Sequence, residues 1–273
     1  MYKASNSYLK IHAWFPVFKD PYAVEEAGGP KLAAQKAKKG LLTETRDHLL
    51  NPWDRGSTDT IPIYDNKLSD PTNPRYFADP ANPDVVRYEL SLLEEIVRKY
   101  TPDGINLDYI RYTDKEYVPG GYTLIITQGA ITDFVRQVRS KFGSKPELSA
   151  DVFPSDQRPV RGQDLDHFAQ YLDVIIPMEY ADLTIEKPAE IGQETLSLRR
   201  KFPGKYVITA LKGWKGGEQN LQDFFLELRD GIRKSLGAGA SGYAIFTYES
   251  LLTGSGSGSL NKVEQNIKEV NVK

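Results

Sequence analysis

The segment Asp103–Tyr112 carries the residues of this chain that are best suited to do chemistry. It reads Asp-Gly-Ile-Asn-Leu-Asp-Tyr-Ile-Arg-Tyr, and it sets Asp108 and Arg111 near the far end of a short aliphatic run. In a strand, Asn106, Asp108 and Ile110 share one face, and Ile105, Leu107 and Tyr109 share the other. A carboxylate at the end of a buried strand is costly to desolvate unless it is paired or used in a reaction. Two interpretations stay open: Asp108 is an active-site residue at the rim of a sheet, or it is a loop residue that caps the next helix or pairs with Arg111.

Polar and aromatic residues follow the other apolar runs in the same way. Grouped by run, they are His12 with Trp14, Asp151, Glu179 with Tyr180, Lys212 with Trp214, and Tyr248. The carboxyl ends of the strands meet on one face of a (β/α) barrel, so these side chains are predicted to converge although they are far apart in sequence. Several carboxylates bordered by aromatic rings suit glycoside hydrolysis. In that reaction one carboxylic acid protonates the leaving oxygen, and one carboxylate attacks the anomeric carbon or activates water.

Each of these residues also has an ordinary structural interpretation. Asp151 precedes Val-Phe-Pro-Ser and is equally suited to ordering that turn. His12 is equally suited to a hydrogen-bonded place in the core. Glu179 follows Val-Ile-Ile-Pro-Met, and an inward Glu on so apolar a strand needs a partner or a task, which favours a site role. Trp14 and Trp214 are expected to be sugar platforms only if the strands form a barrel.

Apolar runs alternate with helical patterns along most of the chain. The first predicted strand lies within residues 9–18, and Asn82-Pro83 begins a predicted helix that ends near Tyr100. After the Asp103–Tyr112 strand, the predicted elements are helix 129–142, strand 147–153, helix 164–172, strand 173–180, helix 188–201, strand 206–214, helix 221–236 and strand 242–249. This alternation predicts an α/β fold with a parallel sheet, most simply a (β/α)8 barrel of TIM type, although only six strands are counted.

Two segments fall outside the alternation. Residues 20–82 form a long polar segment with a predicted helix around 31–50, and its remainder is rich in Asp, Asn and Pro. Loops of such length in a compact domain are usually functional or disordered, and the aromatic residues favour an ordered one. Residues 254–273 combine a Gly-Ser repeat typical of a flexible linker with a short helix. Residues 1–253 are therefore predicted to be one barrel domain of catalytic type.

Composition restricts the classes of protein to which the chain can belong. A length of 273 residues with 40% hydrophobic and 26% charged residues suits one large globular α/β domain. The formal net charge of −2 gives no basic field for nucleic acid or an anionic membrane, and no stretch reaches the length of a membrane span. The first residues contain no hydrophobic signal segment. With no cysteine and three histidines outside any zinc-binding pattern, thiolate chemistry is excluded, and no metal or cofactor is expected.

At these residues the chain resembles the glycoside hydrolases of the glycosyl-hydrolase-like ten family and its relatives, which are TIM-barrel glycosidases. The resemblance covers most of residues 8–250 and rests on these motifs: Lys10-Ile-His-Ala-Trp-Phe, Ala81-Asn-Pro-Asp-Val-Val-Arg-Tyr, Pro102-Asp-Gly-Ile-Asn-Leu-Asp-Tyr-Ile-Arg-Tyr, Asp173-Val-Ile-Ile-Pro-Met-Glu-Tyr and Gly242-Tyr-Ala-Ile-Phe. It implies a bacterial, extracytoplasmic barrel that acts on a polysaccharide or a peptidoglycan-like glycan. In the family a segment like 10–15 is the third strand. The first two βα units are therefore expected to be missing, and the barrel to be open or completed by another segment or subunit.

The segment Asp103–Tyr112 also resembles the chitinase signature Asp-Gly-x-Asp-x-Asp-x-Glu, in which the last residue is the catalytic acid. Here Ile110 occupies that last position, and Asn106 replaces an Asp. A substrate-assisted chitinase mechanism therefore lacks its proton donor and is rejected.

Two hypotheses of function result. In the first, the protein is a glycoside hydrolase in which Asp108 is the nucleophile or base, Glu179 the general acid/base and Asp151 a supporting carboxylate. Arg111 is expected to keep Asp108 ionised by charge pairing. The residues expected to bind the sugar are His12, Trp14, Arg111, Tyr180, Lys212, Trp214 and Tyr248. In the second hypothesis, the protein is a catalytically inactive glycan-binding barrel, whose affinity for sugar survives the loss of the carboxylates.

Overall fold

The structure is a computed structural model that describes residues 9–18, 80, 83–112, 124–181, 184, 188–214 and 221–247. The predicted helix at 31–50, most of the long polar segment, Tyr248 and the predicted linker and helix at 254–273 lie outside these residues. The chain divides into two compact units. The first unit is Met1–Ala150 with Gln157–Leu172, and the second unit is Asp151–Asp156 with Asp173–Lys273.

Six strands occur in the described residues, and their order in the sheet follows the chain. They are β1 (His12–Pro16), β2 (Gly104–Asp108), β3 (Glu147–Val152), β4 (Val174–Pro177), β5 (Tyr206–Lys212) and β6 (Gly242–Phe246). The paired strands are parallel. In the register of β1 and β2, His12 lies opposite Gly104 and Pro16 lies opposite Asp108. The predicted succession of parallel strands is confirmed.

Helices alternate with these strands. They are α1 (Pro83–Tyr100), α2 (Leu124–Phe142), α3 (Leu165–Phe168), α4 (Gln193–Lys201) and α5 (Leu221–Gly237), with 3-10 turns at Pro159–Arg161, Ala169–Tyr171 and Pro188–Glu190. Helix α1 begins at Pro83, as predicted, because the fixed φ of proline suits the first helical position. Arg98 and Lys99 lie in its last turn, where their positive charges interact favourably with the negative end of the helix dipole. Helix α2 begins earlier than predicted, at Leu124, and α3 is a single turn that leads into a 3-10 turn.

The strands of the first unit have one apolar and one polar face. Ile105 and Leu107 of β2 are fully buried, whereas Asn106 and Asp108 are only partly buried. Strand β3 repeats this alternation of residue types, with Ser149 on its polar face. Successive side chains of a strand point to opposite faces, so the apolar set is directed into the core and the polar set to the other side of the sheet.

Each unit has its own buried core. In the first unit, Phe18 and Phe134 are fully buried and meet edge to face, with ring centroids 5.0 Å apart. In the second unit, helix α5 packs through an apolar cluster made of Ile191, Leu211, Phe224, Phe225, Leu228 and Ile232. Among the described helices, none combines the length and the apolarity that a membrane span requires.

Candidate active site

Asp108, the last residue of β2, is held by hydrogen bonds from two sides. The indole Nε1 of Trp14 donates to Oδ2 over 3.1 Å, and the backbone N–H of Tyr109 donates to Oδ1 over 2.6 Å. Trp14 itself is 54% exposed. An open aromatic surface therefore lies beside a carboxylate that is fixed in one orientation. A sugar ring could stack on this indole while its anomeric carbon is near the carboxylate.

Next to Asp108, side chains at neighbouring positions of β1, β2 and β3 form a row across the sheet of the first unit. Trp14 lies opposite Asn106 in the register of β1 and β2, and Asn106 lies opposite Ser149 in that of β2 and β3. The Asn106 amide donates to the Ser149 hydroxyl over 3.2 Å, and this hydroxyl donates to the carbonyl of Ile105 over 3.2 Å. The buried Ser149 is thereby satisfied, and the Asn106 amide is oriented on the strand face that carries Asp108.

The chain turns sharply after Asp108. Tyr109 has a φ of 50°, in the left-handed region that large side chains rarely adopt. The guanidinium carbon of Arg111 lies 5.1 Å from the centroid of the Tyr109 ring, and Nη1 donates to the carbonyl of Tyr112. Such strain persists where surrounding contacts impose it, often at functional sites. Sequence reasoning missed Tyr109, because its residue type gives no signal of a left-handed conformation. The charge pairing of Arg111 with Asp108 stays a prediction.

His12 lies at the other end of β1 from the Asp108 site. It is the first residue of the strand, and a Cβ built on Gly104, at the start of β2, would lie 2.3 Å from its ring. Its Nε2 is 3.6 Å from Oε2 of Glu147, at the start of β3. Four residues of strand separate it from the level of Asp108, roughly 13 Å. The parallel register thus places His12 at the amino ends of the strands, and its predicted sugar-binding role stays a prediction.

Glu179 of the second unit faces a helix. Its carboxylate accepts hydrogen bonds from the backbone N–H of Gly192 (2.6 Å), from the backbone N–H of Thr195 (3.0 Å) and from the Thr195 hydroxyl (2.6 Å). Gly192 is the N-cap of α4, so Glu179 satisfies donors that the helix itself leaves unpaired. The residue is 1% exposed. This placement does not suit the predicted general acid/base role, because a substrate would have to displace α4 to reach the carboxyl group.

The surroundings of Glu179 also set its protonation. Burial raises the pKa of the Glu179 carboxyl above its ordinary value, because desolvation penalises the charged form. The hydrogen bonds from Thr195 and Gly192 lower the pKa and offset part of this rise, whereas the nearby Glu194 raises it further. The Thr195 hydroxyl also lies 2.6 Å from the hydroxyl of Thr209 in β5, and both threonines are fully buried. A chain of buried polar groups thus joins the segment after β4 to α4 and β5.

Tyr180 forms an aromatic cluster with Trp214 and Phe246. Its ring centroid lies 5.6 Å from that of Trp214, edge to face, and 6.3 Å from that of Phe246, stacked at 26°. Tyr180 is buried, whereas Phe246 is 40% exposed. The structure thus brings two of the residues singled out in the sequence, Tyr180 and Trp214, into contact. It adds Phe246, which sequence reasoning missed because an aromatic at the end of an apolar run looks like an ordinary core residue.

Lys212 and Asp151 occupy different places in the second unit. Lys212 ends β5 with 7% of its side chain exposed, and its Nζ lies 3.0 Å from Oε1 of Glu227 on α5. Its charge is matched by a helix residue, which does not favour the predicted contact with sugar. Asp151 is partly buried near the end of β3, on the strand face that carries Ser149. Nowhere in the described residues do His, Cys, Asp and Glu side chains gather in a way that could hold a metal ion.

Three solved structures have a similar fold. A Group IV chitinase of Ostrinia furnacalis superposes with a TM-score of 0.53 at 12% identity, over 93% of this chain and 86% of that one. A chitinase of Rhizomucor miehei gives 0.50 at 15% identity, over 70% and 76% of the two chains. A cycloisomaltooligosaccharide glucanotransferase of a Paenibacillus species, complexed with cycloisomaltoheptaose, gives 0.51 at 13% identity, over 77% of this chain and 27% of that one. At these identities the likeness shows the fold alone, and the predicted α/β fold of TIM-barrel type is confirmed.

No curated protein matches the chain at a significant level. A family of domains does match: residues 6–196 fit the family described as "Putative glycosyl hydrolase domain". The matched segment contains β1 to β4 and includes both Asp108 and Glu179. Since it spans well over half of the 273 residues, the chain belongs to this family of glycosyl hydrolase domains.

Proposed function

We propose that the protein is a glycoside hydrolase that cleaves O-glycosidic bonds in a polysaccharide or a peptidoglycan-like glycan. The observation that carries the proposal is the contact between Trp14 and Asp108, in which an exposed indole donates a hydrogen bond to a carboxylate at the carboxyl end of a parallel strand. In (β/α) barrels this end of the strands carries the active site. Membership of a family of glycosyl hydrolase domains supports the same class of activity.

Asp108 is the nucleophile or the general base in this proposal. Positive charge develops at the anomeric carbon as the glycosidic bond breaks. A carboxylate that two hydrogen bonds already orient stabilises this charge without having to reorganise, which is the more effective form of electrostatic catalysis. The exposed ring of Trp14 provides the surface on which the apolar face of the sugar stacks.

A second carboxyl group is needed to protonate the leaving oxygen. Glu179 is unsuited to this step, since its side chain is buried against α4. Asp151 keeps its predicted role as a supporting carboxylate. It is partly buried and lies near the carboxyl end of its strand.

A panel of polysaccharides and purified peptidoglycan, assayed for released reducing ends, tests the proposal. We expect the wild type to hydrolyse at least one glycan and Asp108→Asn to lose about 100-fold or more of that rate. Asp103→Asn is the matched control, because Asp103 lies just before the other end of β2 and accepts a hydrogen bond from the backbone N–H of Ile11. Full activity of folded Asp108→Asn would overturn the role of Asp108.

The second candidate function is binding of glycan without hydrolysis. The burial of Glu179 favours it, because one of the two carboxyl groups predicted to catalyse is occupied by a helix. Affinity electrophoresis in gels that contain the panel polysaccharides separates the two functions. A binding protein is retarded equally as wild type and as Asp108→Asn and releases no reducing ends, whereas a hydrolase releases them in the wild type only.

A further inference from the structure

We propose that Glu179 is a positioning residue, which fixes the amino end of helix α4 to the segment after β4 and so holds Tyr180 in its cluster with Trp214 and Phe246. The inference rests on the proposed function in one respect only: the aromatic cluster is taken to contact the sugar. The positioning itself is independent of whether hydrolysis occurs, and it replaces the general acid/base role that the sequence suggested for Glu179.

Three hydrogen bonds fix the Glu179 carboxylate. Both carboxylate oxygens are used, Oε2 by Gly192 and Oε1 by the backbone and the hydroxyl of Thr195. Hydrogen bonds to a charged acceptor in a buried place are strong, and none of these three is shared with bulk water at 1% exposure. The side chain therefore has one orientation, which is set by α4.

Tyr180 follows Glu179 directly in the chain, so the orientation of one side chain bears on that of the other. In extended backbone, successive side chains point to opposite sides, so a carboxylate directed to the helix directs the next side chain away from it. The backbone N–H of Glu179 donates to the carbonyl of Ala210 over 2.9 Å, and that of Tyr180 donates to the hydroxyl of Thr184 over 2.9 Å. These two backbone hydrogen bonds and the carboxylate together fix the position from which the Tyr180 ring reaches Trp214.

A neighbouring carboxylate gives the same helix end a second attachment. Glu194, in the first turn of α4, is 8% exposed, and its Oε2 accepts a hydrogen bond from the backbone N–H of Ser155 over 3.2 Å. Ser155 lies in the short segment that follows β3. The amino end of α4 is therefore joined to the segments after β3 and β4 by two buried carboxylates, Glu194 and Glu179.

The experiment uses Trp214 as a reporter that needs no substrate. The chain has three tryptophans, so Trp14→Phe with Trp53→Phe leaves Trp214 as the single emitter. In this background, Glu179→Gln replaces one acceptor oxygen by an NH2 group that faces N–H donors. Thr195→Val removes a hydroxyl at nearly constant shape, and Thr195→Ser is its matched control, which keeps the hydroxyl.

We expect Glu179→Gln and Thr195→Val to shift the emission maximum of Trp214 and to increase its quenching by acrylamide, with far-UV circular dichroism unchanged. Thr195→Ser is expected to match the background protein. Unchanged Trp214 emission in folded Glu179→Gln and Thr195→Val overturns the inference. If Glu179→Gln does not fold, the comparison of Thr195→Val with Thr195→Ser decides the question in the same way.

Kinetics on a hydrolysed glycan, with all tryptophans present, provide the second readout. A positioning residue for a sugar-binding ring predicts that Thr195→Val raises KM about 10-fold with a smaller change in kcat. A direct acid/base role of Glu179 predicts instead that Glu179→Gln lowers kcat about 100-fold or more and that Thr195→Val retains most of kcat. If the panel yields no hydrolysis, the proposed function fails while the fluorescence result still decides the positioning of Tyr180.

Discussion

At the scale of the residue, Trp14 has two separable contributions to the Asp108 site. Trp14→Phe keeps an aromatic ring but removes the Nε1 donor that reaches Asp108. A hydrogen bond to a charged group contributes about 1.5–3 kcal/mol, so kcat/KM is expected to fall about 10- to 100-fold. Trp14→Ala removes the ring as well, so it is expected to raise KM in addition, because the sugar loses the surface on which it stacks. Initial rates over a range of substrate concentrations measure both effects, and wild-type kinetics for Trp14→Phe would contradict the role of the indole N–H.

Glu179 gives a second prediction at this scale, on stability against pH. Its raised pKa means that the folded state binds this proton more tightly than the unfolded chain does. The contribution is fully present below the unfolded pKa of about 4.3 and is lost as pH rises through the folded pKa. We therefore expect the free energy of unfolding of the wild type, minus that of Glu179→Gln, to decrease as the pH rises above about 4.

Urea denaturation at each pH measures this difference. The control variant is Glu95→Gln, at a site on α1 where 56% of the side chain is exposed. A difference that stays constant or increases with pH for Glu179→Gln contradicts the raised pKa. The comparison is made between variants at the same pH, because titrating groups far from Glu179 contribute equally to both proteins.

The same residues show how far a sequence can predict a site. Asp108 was placed correctly at the end of a strand, because its aliphatic neighbours alternate with polar residues and leave one possible assignment of faces. The face of the strand that Glu179 takes could not be predicted, since the preceding Val-Ile-Ile-Pro-Met is apolar at every position. A buried parallel strand is apolar on both faces, so its sequence does not tell which face a lone Glu takes.

At the scale of the element, the end of β5 depends on a close approach to β6. A Cβ built on Gly213 would lie 2.9 Å from Ile245 Cγ2 and 3.0 Å from the carbonyl oxygen of Phe246, and the Gly213 N–H already donates to that oxygen over 2.6 Å. Because backbone atoms stand in the way, Gly213→Ala is expected to cost about 1–3 kcal/mol of stability. It is also expected to disturb the cluster that contains Trp214.

Thermal unfolding followed by circular dichroism tests this, with Gly204→Ala as the control. Gly204 precedes β5, and a Cβ built there meets nothing within 4 Å. The two variants thus make the same chemical change at opposite ends of one strand. Equal melting temperatures for the two variants would show that moving the end of β5 away from the end of β6 costs no stability.

Element boundaries show where sequence reasoning lost accuracy. The extent of α1 was predicted closely because Pro83 begins it and Thr-Pro follows its end. The strand predicted at 173–180 is shorter in the structure, Val174–Pro177, and proline has no N–H to donate. In β1 the sequence showed an apolar run from residue 9 but not where pairing starts. The register that puts His12 beside Gly104 depends on the neighbouring strand, so the sequence of β1 alone does not show at which end of the strand His12 lies.

At the scale of the whole molecule, the fold class followed from the serial order of strands and helices, which is a property of the entire sequence. The order of the elements largely determines the architecture, because parallel strands need crossover helices and few topologies satisfy that requirement. The geometry of the site could not be derived from the order of strands and helices. It depends on which side of each strand faces the helices and on contacts such as Glu179 with α4, and these are decided by packing between segments far apart in the chain.

The stability of the molecule is expected to depend strongly on the apolar cluster of the second unit, and two leucines on helix α5 provide the test. Leu228 belongs to this cluster with 6% exposure, whereas Leu226 on the same helix is 43% exposed. Leu228→Ala removes the same atoms as Leu226→Ala but leaves a cavity, so it is expected to cost about 2–5 kcal/mol in the free energy of unfolding. Domains are typically stable by only about 5–15 kcal/mol, which makes this loss large enough to measure by urea denaturation. An equal loss for the two variants would mean that α5 does not pack through the Leu228 face.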